Sequence, residues 1–365
     1  MIERHENEQT ASESVDRPVP TPVAPRRRDT SVDVLKGIGI VLIILGHLDA
    51  SGIGGSFIAY LYTFHVALFF VAAGYTWRAK PGLSFGSVVV TKFRTIYVPY
   101  IVFFIISLAY GHLVMRFVFG QPVAPFDPVQ SLKALLASSE WLNTVPTYNF
   151  ALWFLPVFFV ASVLFDLLQK VRNVLAYVVV VIALAAVSIP IQDLLPGRPV
   201  IAINVVPVAL VFMATGYLIR RYIPIARISY FVAIPVLVFS LWAAFMFPGN
   251  VARIGSYWYF PGAIASIVLY LRFSIDIRSS SFLQFVGRNS LIVFGIHGLV
   301  ASTYPFTHIQ DALAPQWNGL MLYLVNAAYV LLVSVVIVKG YRLVRVRFDR
   351  SLVSWRSRRA AVRSA

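Results

Sequence analysis

The chain alternates long apolar runs with short polar joints. Ten runs of spanning or near-spanning length can be counted, with cores at 33–50, 57–77, 96–118, 150–169, 174–192, 200–219, 229–247, 256–272, 283–303 and 320–339. A bilayer core offers no water to the backbone, so a run of about 20 apolar residues is read as a spanning helix, which pairs its own N–H and C=O groups. The runs are too long for strands and lack their period-two alternation, which argues against a barrel. The pattern predicts an all-α integral membrane protein, a bundle of about ten transmembrane helices. Prolines 99, 156, 207, 235 and 261 fall inside or at the ends of runs, where neighbouring helices can satisfy the freed backbone groups.

Composition sharpens this reading. Hydrophobic residues make up 59% of the 365 and charged residues only 13%, against about 25% charged in a soluble domain. Too little polar surface remains to cover a water-exposed globule, so lipid is the solvent for most of the chain. The net charge of +16 raises the question of nucleic acid. The cations, however, sit in short clusters between apolar runs and at the two ends, the pattern of membrane-flanking residues and not of a binding stripe. With the N-terminus inside, 27 of the 31 Lys and Arg fall on the cytoplasmic side, and only Arg116, Lys133, Arg198 and Arg253 fall outside. That asymmetry predicts that both termini are cytoplasmic. Residues 1–31 read as a disordered, basic, proline-rich cytoplasmic tail and not a cleaved signal peptide. Residues 32–340 form the membrane domain, and 341–365 a basic cytoplasmic tail. The outer loop 119–149 carries Glu140 and Trp141, and the loop 304–319 carries His308 and Asp311. With no cysteine, thiolate chemistry and disulfides are excluded.

Polar groups within a membrane are expensive, so each is a candidate for function. Those here are Lys36, His47, His65, His112, Arg288, Asn289 and His297, with the carboxylates Asp33, Asp49, Asp166 and Asp193 at segment ends. Lys36 and His47 lie 11 positions apart, about three helical turns and 16 Å, on nearly one face. Gly37 and Gly39 beside them permit close approach by a backbone or ligand. His65 sits on the second run at a depth similar to His47. His112 reads as structural. A snorkelling lysine, packing histidines and positive-inside anchors are the bland alternatives.

Several motifs then resemble one family. The stretch Asp33…Lys36-Gly-Ile-Gly-Ile…Leu45-Gly46-His47 is similar to the opening signature of the membrane-bound acyltransferase 3 superfamily, in the form of its fucose 4-O-acetylase-like branch. Phe64-His65-Val-Ala-Leu-Phe-Phe…Gly74-Tyr75 resembles the second-helix motif, with Val66-Ala67 where the family usually has Met-Pro. Lys92-Phe-Arg94…Val98-Pro99-Tyr100, Leu152-Trp153-Phe154-Leu155-Pro156 and Gly287-Arg288-Asn289-Ser290-Leu291…His297 resemble later segments in the same order. Lys36 stands where an arginine is usual, keeping charge and reach without the bidentate fork.

The resemblance implies an O-acyltransferase of a bacterial cytoplasmic (inner) membrane. It would move an acetyl or other acyl group from acetyl-CoA to a hydroxyl of an envelope glycan, exopolysaccharide or lipid-linked sugar, with no metal. His47 would be the general base, a neutral imidazole with an ordinary pKa of about 6.5 being suited to the task. His65 would orient it or carry the acyl group in transit. Lys36, Arg94 and Arg288 would receive the CoA phosphates, and Trp153, Asn289, His297 and Tyr75 would line the substrate path. No carboxylate stands at a depth to orient His47, which leaves a backbone carbonyl, Tyr62, Tyr75 or His65 for that role. A transporter or flippase for a glycan or lipid-linked sugar is the competing expectation; the lack of intramembrane carboxylates and of a nucleotide-binding loop weighs against it.

Overall fold

The computed structural model describes residues 29–48, 55–79, 82–138, 144–197, 199–303 and 319–364, the last nineteen of these by backbone alone. The tail before Asp29, together with Asp49, Glu140, Trp141, Arg198, His308 and Asp311, lies outside the described residues. Every apolar run becomes helix. The first is α1 (Thr30–His47), capped by the Asp29 side chain, which accepts from the Ser31 N–H. The second is split into α2 (Gly55–Phe64) and α3 (Ala67–Thr76). Its interruption falls at His65–Val66 although no proline stands there. The Leu61 carbonyl accepts both the backbone N–H and the ring Nδ1–H of His65.

The third run extends from α4 (Phe85–Lys92) through a π-helical turn at 93–97 and α5 (Val98–Ala109) to a second π-helical stretch ending at Val118. Its 34 residues span about 50 Å, more than the hydrocarbon core of about 30 Å. A short α6 (Pro128–Ala137) follows. Next come α7 (Phe154–Leu168), entered through a 3-10 turn at 150–153, α8 (Val174–Leu194) and α9 (Val206–Tyr222). Then come α10 (Tyr230–Met246), α11 (Tyr259–Asp276), α12 (Ser281–Arg288) and α13 (Ser290–Ala301). The chain ends in α14 (Gly319–Ser364), a single helix that continues through the residues expected to form a separate tail.

Among the described residues these elements make seven spans long and apolar enough to cross a membrane, α2 and α3 together forming one, and an eighth follows if α12 and α13, bent by 85° at Asn289, count as one span. Of the ten expected crossings, seven or eight are marked by length and composition among the described residues. The helix α10 has only 17 residues, and α11 carries Arg272 and Asp276 in its last turns.

Close packing in the centre depends on glycine. A Cβ at Gly287 would lie 1.7 Å from the Asp33 carbonyl oxygen, and one at Gly37 would lie 2.2 Å from that of Leu283, so α1 and α12 touch backbone to backbone. The pair α3 and α9 repeats the device, Gly74 against the Met213 carbonyl and Gly216 against that of Val71. Small residues permit such approach where no aqueous hydrophobic effect drives helices together. At the periphery, α8 buries only 11% of its spanning window and is apolar on every side, as a lipid-facing helix must be.

Candidate active site

Helix α1 links two differently built regions. Its first turns carry Asp33 and Lys36, and its last residue is His47. At the first end Asp33 is almost wholly buried and holds two cations, Arg288 Nε at 3.1 Å and Lys36 Nζ at 3.7 Å. Arg288 also donates to the Gln284 side chain. The chain from Asp33 to α12 is thus fixed by charge as well as by the two glycines. Sequence position alone put Asp33 at a segment end; the neighbour that buries it comes from 255 residues away.

Beside this clamp opens a cavity of about 830 Å³. Four cations line it: Lys36, Arg78, Lys92 and Lys170. Asp166 is the carboxylate among its lining residues; it accepts from Trp77 Nε1 at 2.5 Å and pairs with Lys92 at 3.7 Å. The far wall is apolar, built from Phe69, Phe154, Phe158, Leu291 and Phe294. Volume, cations and an apolar end fit a ligand that carries phosphates at one end and an uncharged arm at the other.

Of the three expected phosphate contacts, only Lys36 lines this cavity. Arg94 is exposed and outside it. Two residues along a helix is a turn of about 200°, so Lys92 and Arg94 face opposite ways. Lys92 shares the cavity wall with Val88, Thr91 and Thr95, one face of this helix. Arg288 is spent on Asp33. Arg78, Lys92 and Lys170, which were not among the expected phosphate contacts, line the cavity beside Lys36.

At the other end of α1 three imidazoles gather. His47 Nδ1 lies 3.0 Å from His297 Nε2, and His297 Nδ1 lies 2.7 Å from the Phe294 carbonyl oxygen. A carbonyl only accepts, so Nδ1 of His297 carries the proton and its Nε2 offers a lone pair. His47 therefore donates through Nδ1, and its own lone pair rests on Nε2. The two rings are nearly parallel, 13° apart with centroids at 5.3 Å. His65 meets His47 edge-on at 5.9 Å, and Phe150 closes another side at 4.8 Å. The end of α1 is held by Tyr323 of α14, whose hydroxyl donates to the Leu45 carbonyl at 2.5 Å. Asn149, absent from the sequence candidates, donates to Ser107 Oγ at 3.0 Å and to the Gly295 carbonyl at 2.8 Å. It ties α5 and α13 to the turn that carries Phe150.

The hydrogen-bond partner of His47, expected to be a backbone carbonyl, Tyr62, Tyr75 or His65, is thus His297, itself held by a backbone carbonyl. The remaining candidates separate. Trp153 is buried three residues beyond Phe150. Asn289 sits at the bend between α12 and α13, where its amide donates to the Phe285 carbonyl at 2.7 Å. Tyr75 is at the cationic end, its hydroxyl accepting from Arg220 at 3.1 Å, and does not join the histidines. His112 packs edge-on against Phe126. The cavity stops short of the imidazoles by one aromatic layer: Phe294 lines the cavity and its ring lies 5.6 Å from that of His297. Among the described residues no group of His, Asp or Glu is arranged to hold a metal.

Helices apolar toward lipid and polar groups gathered inside define a multi-pass membrane protein with an internal, hydrogen-bonded histidine site. A family model described as an acyltransferase domain matches residues 29–339, and the chain belongs to the acyltransferase 3 family. It is an acyltransferase, which sets aside the transporter weighed from the sequence. No curated protein matches it.

Proposed function

We propose that this enzyme moves an acetyl or related acyl group from acyl-CoA on the cytoplasmic side to a hydroxyl of a cell-envelope glycan, exopolysaccharide or lipid-linked sugar, in a bacterial inner membrane. The observation that carries the reading is the ordered proton path from His47 to His297 to the Phe294 carbonyl. It leaves His47 Nε2 as an oriented base, as a carboxylate does for the histidine of a hydrolytic triad. The CoA phosphates would lie among Lys36, Arg78, Lys92 and Lys170, with the thioester arm directed along the aromatic wall toward Phe294.

In the transfer, the acceptor hydroxyl gives its proton to His47 Nε2 as its oxygen attacks the thioester carbonyl. The C–O bond forms, the C–S bond breaks, and the departing thiolate takes the proton back from His47. Because His47 stands about 16 Å along α1 from Lys36, donor and acceptor can reach the reaction from opposite faces. A positive-inside orientation puts the donor cavity on the cytoplasmic side.

Oriented proteoliposomes test this. Acetyl-CoA should be consumed only when supplied on the face that bears the cationic cavity, and only when a glycan acceptor is present. Consumption from either face alike, or without an acceptor, would contradict the proposal.

A further inference from the structure

His65 has a nitrogen that nothing so far uses. Its Nδ1 is 2.6 Å from the Leu61 carbonyl and so carries the proton, which leaves the lone pair on Nε2. The residue is 1% exposed, and Nε2 is buried without a hydrogen-bond partner. Buried polar atoms in folded proteins are nearly always paired, so an orphaned acceptor asks for a donor that the protein does not supply. The atom faces Gly46, the residue beside His47, and a Cβ there would lie 3.8 Å from it. With glycine there, position 46 sets no side chain against the ring edge that carries the lone pair.

We infer that His65 is a specificity-determining residue and that the acceptor is a vicinal diol. The inference rests on the acyl-transfer reading above. One hydroxyl gives its proton to His47 Nε2 and is acylated. Its neighbour donates a hydrogen bond to His65 Nε2 and keeps its proton. The chemistry of the site selects this ligand: two neutral imidazoles in edge contact, with centroids 5.9 Å apart, present two acceptors at Nε2. A simple alcohol satisfies one of them; adjacent hydroxyls, as on a sugar ring, satisfy both. His47 is half-buried and His65 fully so, which places the acylated oxygen on the accessible side and the anchoring oxygen deeper. A site built to hydrogen-bond a substrate hydroxyl discriminates strongly against the analogue that lacks it.

The test compares cis vicinal cyclohexanediol with cyclohexanol as acceptors, with acetyl-CoA as donor, in proteoliposomes of the full chain. The wild type should favour the diol by about 100-fold or more in kcat/KM, and His65→Phe should bring the ratio close to one. Gly46→Ala, which covers the same nitrogen at an ordinary contact distance, should lower the ratio without touching the histidine. Equal use of both acceptors by the wild type, or a ratio unmoved in both variants, overturns the two-point grip and leaves acyl transfer standing; an ordered water then satisfies His65. Failure of the wild type to release CoA with either acceptor overturns the underlying reading and takes the grip with it.

Discussion

The two ends of α1 solve opposite problems. At the Lys36 end the cavity is roomy and cationic, and its charges come from four separate stretches of chain. At the His47 end the groups are closely packed, and partners fix the Nδ1 atoms of all three rings and Nε2 of His297, leaving Nε2 of His47 and His65 as lone pairs. Recognition of a polyanion tolerates this dispersion, because charge acts over several ångströms and each cation adds a share. Proton transfer does not, because it depends on one lone pair at one position. Mutations at the two ends should therefore differ in kind as well as in size.

The largest effect is expected from His47→Ala, which removes the lone pair itself. Acyl transfer in proteoliposomes should fall by about 10³-fold in kcat with normal amounts of protein in the membrane; near-normal turnover would end the base assignment. His297→Phe keeps a ring in the site but removes the acceptor that orients His47. A loss of about 10²-fold in kcat is expected, with the KM for acyl-CoA little changed, so a change confined to KM would contradict the orienting role.

The cationic end should respond more gently. Lys92→Ala or Lys170→Ala is expected to raise the KM for acyl-CoA by about tenfold, the loss of one charge-assisted contact, with kcat nearly preserved and the difference shrinking at high salt. Arg94→Ala, two residues from Lys92 and outside the cavity, should stay within about twofold of the parent. An effect of Arg94 equal to that of Lys92 would mean that phosphate recognition follows the sequence motif and not the cavity wall. A stability experiment separates the clamp from the chemistry. In Gly287→Ala the new methyl meets the Asp33 carbonyl, and overpacking of about 1–3 kcal/mol should lower the thermal midpoint in detergent while leaving isolated changes at Lys170 without effect on it.

Much of this was legible in the chain. The apolar runs placed the helices, though not the start of the third at Phe85 or the length of the last, because in lipid a helix is the main solution open to a long apolar segment. His47 and His65 were visible as polar atoms where polar atoms are costly, and Gly37 was visible as a place for close approach. The break at His65–Val66 was less so, since it owes nothing to proline and arises from a side chain competing for a backbone carbonyl. Length and composition mark seven or eight crossings among the described residues, against the ten expected; α10, with 17 residues, is shorter than a full span, and the run 283–303 is bent by 85° at Asn289.

Sequence by itself determined that the protein lives in a membrane, that α1 would carry a cation and an imidazole three turns apart, and which motifs align with one family. Local period and polarity suffice for these, since each concerns residues within a few turns of one another. Only the tertiary structure decided which histidine faces His47, that Asp33 is buried between Lys36 and Arg288, and that Lys92 and not Arg94 looks into the cavity. Those are matters of helix rotation and of partners 250 or more residues apart, fixed by how glycine-lined faces dock and not by anything written along the chain.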